Sequence, residues 1–176
     1  MIARSSSQSQ FIGEYRRHFP EPCDPPRTTV QANGKNLDVH IGGGLVGSQY
    51  VGVFDGPDLI AIVNLWSPDD DLAYRNIGRT LVEARFQGNG ITRQIIEWWV
   101  VTNEECLASD EDQTDDGARV WESMILRDPI LQFFLWRPDQ DLIPITVENG
   151  NITPNPWAEN RSRLIACPPS TSCDLA

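Results

Sequence analysis

From Leu37 onward the chain alternates short apolar runs with turn residues, and this pattern predicts strands. The runs lie at 37–41, 49–54, 59–66, 79–87, 91–101, 118–126, 130–136 and 143–148. In the fourth, Thr80, Val82, Ala84 and Phe86 alternate with Glu83, Arg85 and Gln87, as a half-buried strand requires. Gly88-Asn89-Gly90 then reads as a three-residue hairpin loop into 91–101. That run carries Arg93 and Glu97 at helical spacing, but Ile, Trp and Val dominate it, so strand is preferred. Asp55-Gly56-Pro57-Asp58 is a second tight connection.

The two ends differ from the middle. Phe11, Ile12, Tyr15 and Phe19 share a helical face, predicting a short helix over 8–19 that Gly13 weakens. Residues 20–36 are Pro-rich, with a turn at Asn33-Gly34. Asn155 followed by Pro156 fits a helix start, so 156–166 is expected to be helical up to Pro168-Pro169. The chain therefore divides into an N-terminal arm at 1–36, one β-rich domain at 37–167 and a tail at 168–176.

One phrase occurs twice. Leu65-Trp66-Ser67-Pro68-Asp69-Asp70-Asp71-Leu72 returns 70 residues later as Leu135-Trp136-Arg137-Pro138-Asp139-Gln140-Asp141-Leu142. The same offset aligns Gly47 with Gly117, Asp58 with Asp128 and Ile60 with Ile130. Segments 47–72 and 117–142 are thus expected to be superposable strand–turn–strand units, with Trp66 and Trp136 buried at equivalent places. The fold class that follows is all-β: a mainly antiparallel sandwich or barrel with an internal duplicated hairpin, short terminal helices and extended arms.

Composition narrows the function classes. The net charge is −11, and Glu104 to Asp116 holds seven acids and no base. A chain without a basic cluster lacks the footprint of a nucleic-acid binder. No apolar run has membrane-spanning length, and the start Met1-Ile2-Ala3-Arg4 lacks the apolar core of a signal peptide. Synthesis in the cytoplasm is expected. Cys23, Cys106, Cys167 and Cys173 have no metal-site spacing, and free thiols are preferred to a small Cys167–Cys173 loop.

Candidate chemistry is sparse. Asp69 with Asp71, and Asp139 with Asp141, could offer paired carboxylates to calcium, but Pro-Asp turn chemistry explains both loops more simply. Asp110, Asp112 and Thr114 match the first spacings of a calcium loop, yet Asp115 stands where glycine is needed and Trp121 where glutamate is needed. No cofactor is expected, with calcium the one cation considered. Gly42-Gly43-Gly44 precedes no helix pattern and no Lys-Ser/Thr, so a bulge is preferred to a phosphate loop. His18 and His40 have no partner Ser or Cys motif. The absence of a catalytic constellation, the many aromatics and the polar ends favour a structural or assembly protein. It would be a homo-oligomer or a subunit among other proteins, such as a virus or phage particle component. Phe11, Tyr15, Phe19 and Trp157 are its interface candidates. The alternatives are a small-molecule-binding β-barrel, lipocalin-like in architecture only, and a carboxylate-dependent enzyme in such a barrel.

Overall fold

The computed structural model describes residues 12–19, 25–44, 46–67, 74–110, 113–138, 140–158 and 162–169. The chain is β-rich, with a mixed sheet and two helices of 13 residues each. It forms two compact units. The first comprises Met1–Asp70 and Ile77–Ile95, the second Asp71–Asn76 and Ile96–Ala176.

In the first unit the strands run in the order β1 (Thr28–Ala32), β2 (Lys35–Gly43), β3 (Ser48–Asp55), β4 (Asp58–Trp66) and the later part of β5 (Tyr74–Val82). The strands at 37–41, 49–54 and 59–66 therefore form where the apolar runs place them. Antiparallel hairpins join β1 to β2 through Asn33-Gly34, and β3 to β4 through Gly56-Pro57. Thr28–Ala32 is thus a strand of the sheet, although the Pro-rich composition around it reads as arm. Leu37, Val39, Val51, Val53, Ala61, Val63 and Leu65 are buried on one face. The opposite face carries His40, Gly42, Tyr50, Gly52 and Phe54, and the N-terminal segment packs there. Residues 12–15 are helical and Arg16–His18 form a 3-10 turn. Phe19 meets Phe54 at 5.4 Å between ring centres, and Tyr15 and His18 meet Tyr50 at 5.3 and 4.8 Å. Part of the predicted arm is therefore folded onto its own unit.

In the second unit Tyr74–Asn76 of β5 pairs in parallel with β6 (Cys106–Ala108). The order continues through β11 (Arg163–Cys167), β7 (Gln132–Trp136) and β8 (Ile143–Pro144), all antiparallel. A separate hairpin joins β9 (Thr146–Glu148) to β10 (Asn151–Thr153). The connection from β5 to β6 is helix α1 (Ile91–Asn103), the crossover that parallel strands require. Cys106 and Cys167 lie side by side on β6 and β11, 4.4 Å apart at Cα, and are disulfide-bonded, so these two thiols are not free as the sequence suggests.

Several expectations are overturned. The run 91–101 is helical because its buried positions, Ile91, Ile95, Ile96, Trp99 and Val100, follow the helical period rather than alternation. The run 118–126 belongs to helix α2 (Asp115–Arg127), whose N-cap Thr114 accepts the Gly117 N–H at 3.2 Å. Trp121, Met124 and Ile125 form its buried stripe. The strand expected at 79–87 ends at Val82 and gives way to a 3-10 turn at Ala84–Phe86. Where a helix is expected over 156–166, the described residues make a turn at 156–158, with Asn155 Oδ1 accepting the Trp157 N–H, and then β11. The duplicated hairpin does not exist: 47–72 contains β3, a turn and β4, whereas 117–142 contains most of α2 and then β7. Trp66 is 38% exposed and so is not the mostly buried residue expected, whereas Trp136, under the Arg163 guanidinium, is mostly buried against the cluster of Cys106, Ala108, Phe134, Ile165 and Cys167. The strands of each unit follow one another in open order, and among the described residues no barrel closes.

Ser109, at the end of β6, is 1% exposed. Its Oγ accepts the Leu164 N–H at 3.0 Å and Gln113 Nε2 at 2.7 Å, and donates to the Asp110 carbonyl at 3.1 Å. Ser109→Ala would orphan the buried Leu164 N–H and is expected to cost about 1–3 kcal/mol. Urea denaturation measures it, and an unchanged midpoint would show that the joint between β6 and β11 does not depend on this hydroxyl.

Candidate functional site

The turn between β5 and α1 is fixed from several elements of the first unit. After Val82, the Glu83 N–H bonds the Ile60 carbonyl at 2.8 Å, and Phe86, 3% exposed, anchors the 3-10 turn. Gly88 and Gly90 follow with φ of 77° and 71°, a conformation that side chains rarely adopt. The tip of the β1–β2 hairpin clamps this turn from outside. The Asn33 N–H donates to Asn89 Oδ1 at 3.1 Å, and Asn33 Nδ2 to the Arg85 carbonyl at 2.9 Å. Gln94 exchanges two bonds with the Gln31 backbone, at 2.8 and 3.0 Å. Asn89 Nδ2 closes the turn on the Phe86 carbonyl at 3.1 Å. A glycine-bearing turn held from two sides thus feeds the first turn of a helix.

The charge order on that helix is the reverse of what a helix prefers. Its N-terminal end carries partial positive charge, so acids belong there and bases at the other end. Helix α2 obeys, with Asp115 and Asp116 in its first turn and Arg127 in its last. Helix α1 has no acid in its first turn, where Arg93 stands, and no base in its last turn. Glu104 and Glu105 follow its C-terminus. Arg93 Nε lies 3.8 Å from where a Cβ on Gly90 would be, so its charge sits at the turn itself. Arg85, in the 3-10 turn before it, is paired with Glu83 at 3.0 Å and lies over the Phe86 ring. At the other end Glu105 is held by Arg75 at 2.8 Å and by Trp99 Nε1 at 2.9 Å. In a chain of net charge −11, this helix begins with a base and no acid in its first turn. Chemically, backbone N–H groups of a first turn, a glycine turn and an arginine together suit the oxygens of a phosphate.

The residues singled out from the sequence lie elsewhere. Asp69, Asp71, Asp112, Asp139 and Phe11 fall outside the described residues. Asp110 and Asp141 are exposed, and among the described residues no three His, Cys, Asp or Glu side chains cluster as metal ligands. Thr114 spends its hydroxyl oxygen on capping α2. Phe19 is 5% exposed in its own unit and so is not an open interface residue; Tyr15 is half-buried on Tyr50, and Trp157 is 39% exposed. His18 Nδ1 donates to the Gly43 carbonyl at 3.2 Å, and His40 stacks edge-on to Phe54. Gly42 seats the N-terminal segment, with no space for a Cβ beneath His18 and Phe19. In the sequence, Gly88-Asn89-Gly90 reads as a hairpin loop, whereas here it leads into a helix. The signal that corrects it is the helical period beginning at Ile91.

No family model matches the chain, and no curated protein matches it. Among solved structures, it resembles a chain from Bacteroides thetaiotaomicron placed in the GNAT family of acetyltransferases. The two are 12% identical, with a TM-score of 0.39 over 69% of this chain and 62% of that one. The match spans less than two thirds of that structure. At this level the likeness assigns neither a fold nor an activity, so the reading of the site rests on its own residues.

Proposed function

We propose that the chain binds a nucleotide-type ligand by its phosphate groups, at the turn 87–90 and the first turn of α1. The observation that carries this is the reversed charge order of α1, with Arg93 set against the positive end of its own helix. A bound phosphate turns that repulsion into attraction on both sides. The clamp by Asn33, Asn89 and Gln94 supports the reading, because a preformed turn loses little entropy on binding. Pyrophosphate, ADP and acetyl-CoA are the probes. Acetyl-CoA is included because it presents a pyrophosphate on a longer ligand. At least one probe is expected to raise the melting temperature and to bind in calorimetry. Arg93→Glu is expected to weaken that binding about tenfold or more, since a charged hydrogen bond is replaced by repulsion. No binding by any of the three probes, or equal binding to the variant, would remove the reading.

An assembly subunit is the second reading, favoured by Trp66 and Trp157, which are 38% and 39% exposed. Exposed tryptophans are the anchors that protein interfaces use most. Its partners would be copies of the chain or other proteins of a complex. Light scattering decides it: a strict monomer across micromolar concentrations argues against self-assembly.

A further inference from the structure

The second unit contains an open cleft of about 350 Å³ between the end of α2 and the strands that follow it. Ile125, Leu131, Phe133, Ile145 and Val147 line it. The segments that form its walls also carry large apolar side chains in solvent. Leu126, Ile130 and Val147 are 40%, 45% and 43% exposed. Val147 belongs to β9, and among the described residues β9 and β10 pair with each other alone. No residue of β9 is buried. A two-stranded hairpin is marginal in water unless something packs on it. An apolar cleft whose rim is apolar too is likewise the mark of a surface that another chain covers.

Charge decides what kind of chain that is. The second unit holds 16 acids and six bases, a net of −10, whereas the first holds nine acids and eight bases. Such a field draws in a basic partner, and it repels nucleic acid, an anionic lipid surface and a second copy of the same unit. Acids also stand at the cleft itself: Glu122 is exposed one turn before Ile125, and exposed Glu148 follows Val147. We infer that the cleft docks a basic amphipathic segment of a partner protein. Apolar side chains of that segment enter the cleft against Ile145 and Val147 and cover Ile130, while its lysines or arginines remain at the rim among the acids. Each contact is made with a side chain that is in solvent or lines the open cleft. The surface shares no residue with the turn at 87–90 or with Trp66 and Trp157, so it stands or falls apart from both readings above.

The test is a heteronuclear NMR titration of the full chain with a short capped peptide of alternating lysine and leucine. Two control peptides carry glutamate in place of lysine, and serine in place of leucine. The lysine–leucine peptide is expected to shift backbone resonances of 125–131 and 144–148, and to bind about tenfold or more tightly than either control. Val147→Glu separates docking from attraction by charge alone, because it removes an apolar contact while making the unit more acidic. It is expected to weaken the lysine–leucine peptide about tenfold. Should that variant not fold, Ile130→Glu takes its place with the same expectation. No binding of the lysine–leucine peptide, equal binding of either control, undiminished binding to the variant, or shifts confined to 104–116 overturns the site. So does a dimer in light scattering whose contacts between copies fall on 125–147, since a second copy would then be the occupant.

Discussion

Trp121→Ala is expected to lower the unfolding free energy by about 3–5 kcal/mol, whereas Trp66→Ala is expected to cost about half as much. Trp121 is 4% exposed and stands one helical turn before Met124 and Ile125, which are 0% and 6% exposed. Removing its indole leaves a cavity beneath a helix that the acidic first turn and the Thr114 cap cannot hold alone. Trp66 ends β4 with more than a third of its surface in solvent, its ring lying against Gly78. Its truncation gives up less buried surface than that of Trp121, because over a third of it is already in solvent. Urea denaturation of the two variants beside the parent chain measures the contrast. Equal midpoints for both would mean that burial in this structure does not rank its tryptophans.

That contrast also marks where the sequence misleads. The phrase shared by 65–72 and 135–142 suggests equal roles for Trp66 and Trp136, and a duplicated hairpin around them. Both residues do end strands, β4 and β7, so the phrase reports a strand ending in Leu-Trp. It does not report what precedes the strand. Before β4 the partner is β3 across a tight turn; before β7 it is helix α2. A few identities over eight residues record local chemistry, and the elements on either side are decided by their own periodicity. In 117–127 that periodicity is helical, with Trp121, Met124 and Ile125 at i, i+3 and i+4.

The strands of the first unit were legible because each presents apolar residues at alternate positions between strong turn formers. Helix α1 was not, because Ile, Trp and Val fill it and their strand propensity masks its helical period. Tertiary packing overrides propensity of that size. The candidate phosphate site followed from the same misreading: a glycine turn between two strands is a hairpin, whereas the same turn before a helix is a place for an anion. The disulfide could not be read at all, because Cys106 and Cys167 are 61 residues apart in the chain.

The N-terminal segment supplies the remaining large effect. The sequence treats it as an arm that orders on a partner, yet 12–19 packs on β2 and β3 through two glycines. A Cβ at Gly42 would lie 2.5 Å from the His18 carbonyl oxygen and 2.8 Å from the Phe19 ring. At Gly52 it would lie 2.5 Å from the same ring. Neither approach is possible for any other residue unless the segment moves. Gly42→Ala with Gly52→Ala is therefore expected to expel 12–19 from the sheet, exposing Phe19 and Ile12, which are 5% and 1% exposed in place. Two apolar side chains of that size are worth about 3–6 kcal/mol of burial, so the melting temperature should fall and trypsin should cut at Arg16 and Arg17 much faster. Gly43→Ala is the control: a Cβ there meets nothing within 4 Å, and its backbone is not in the left-handed region, so stability and cleavage should match the parent. If the double variant is cut no faster than the control, the segment is held by something other than its seat on the two glycines. Its ordering would then again be a matter for a partner.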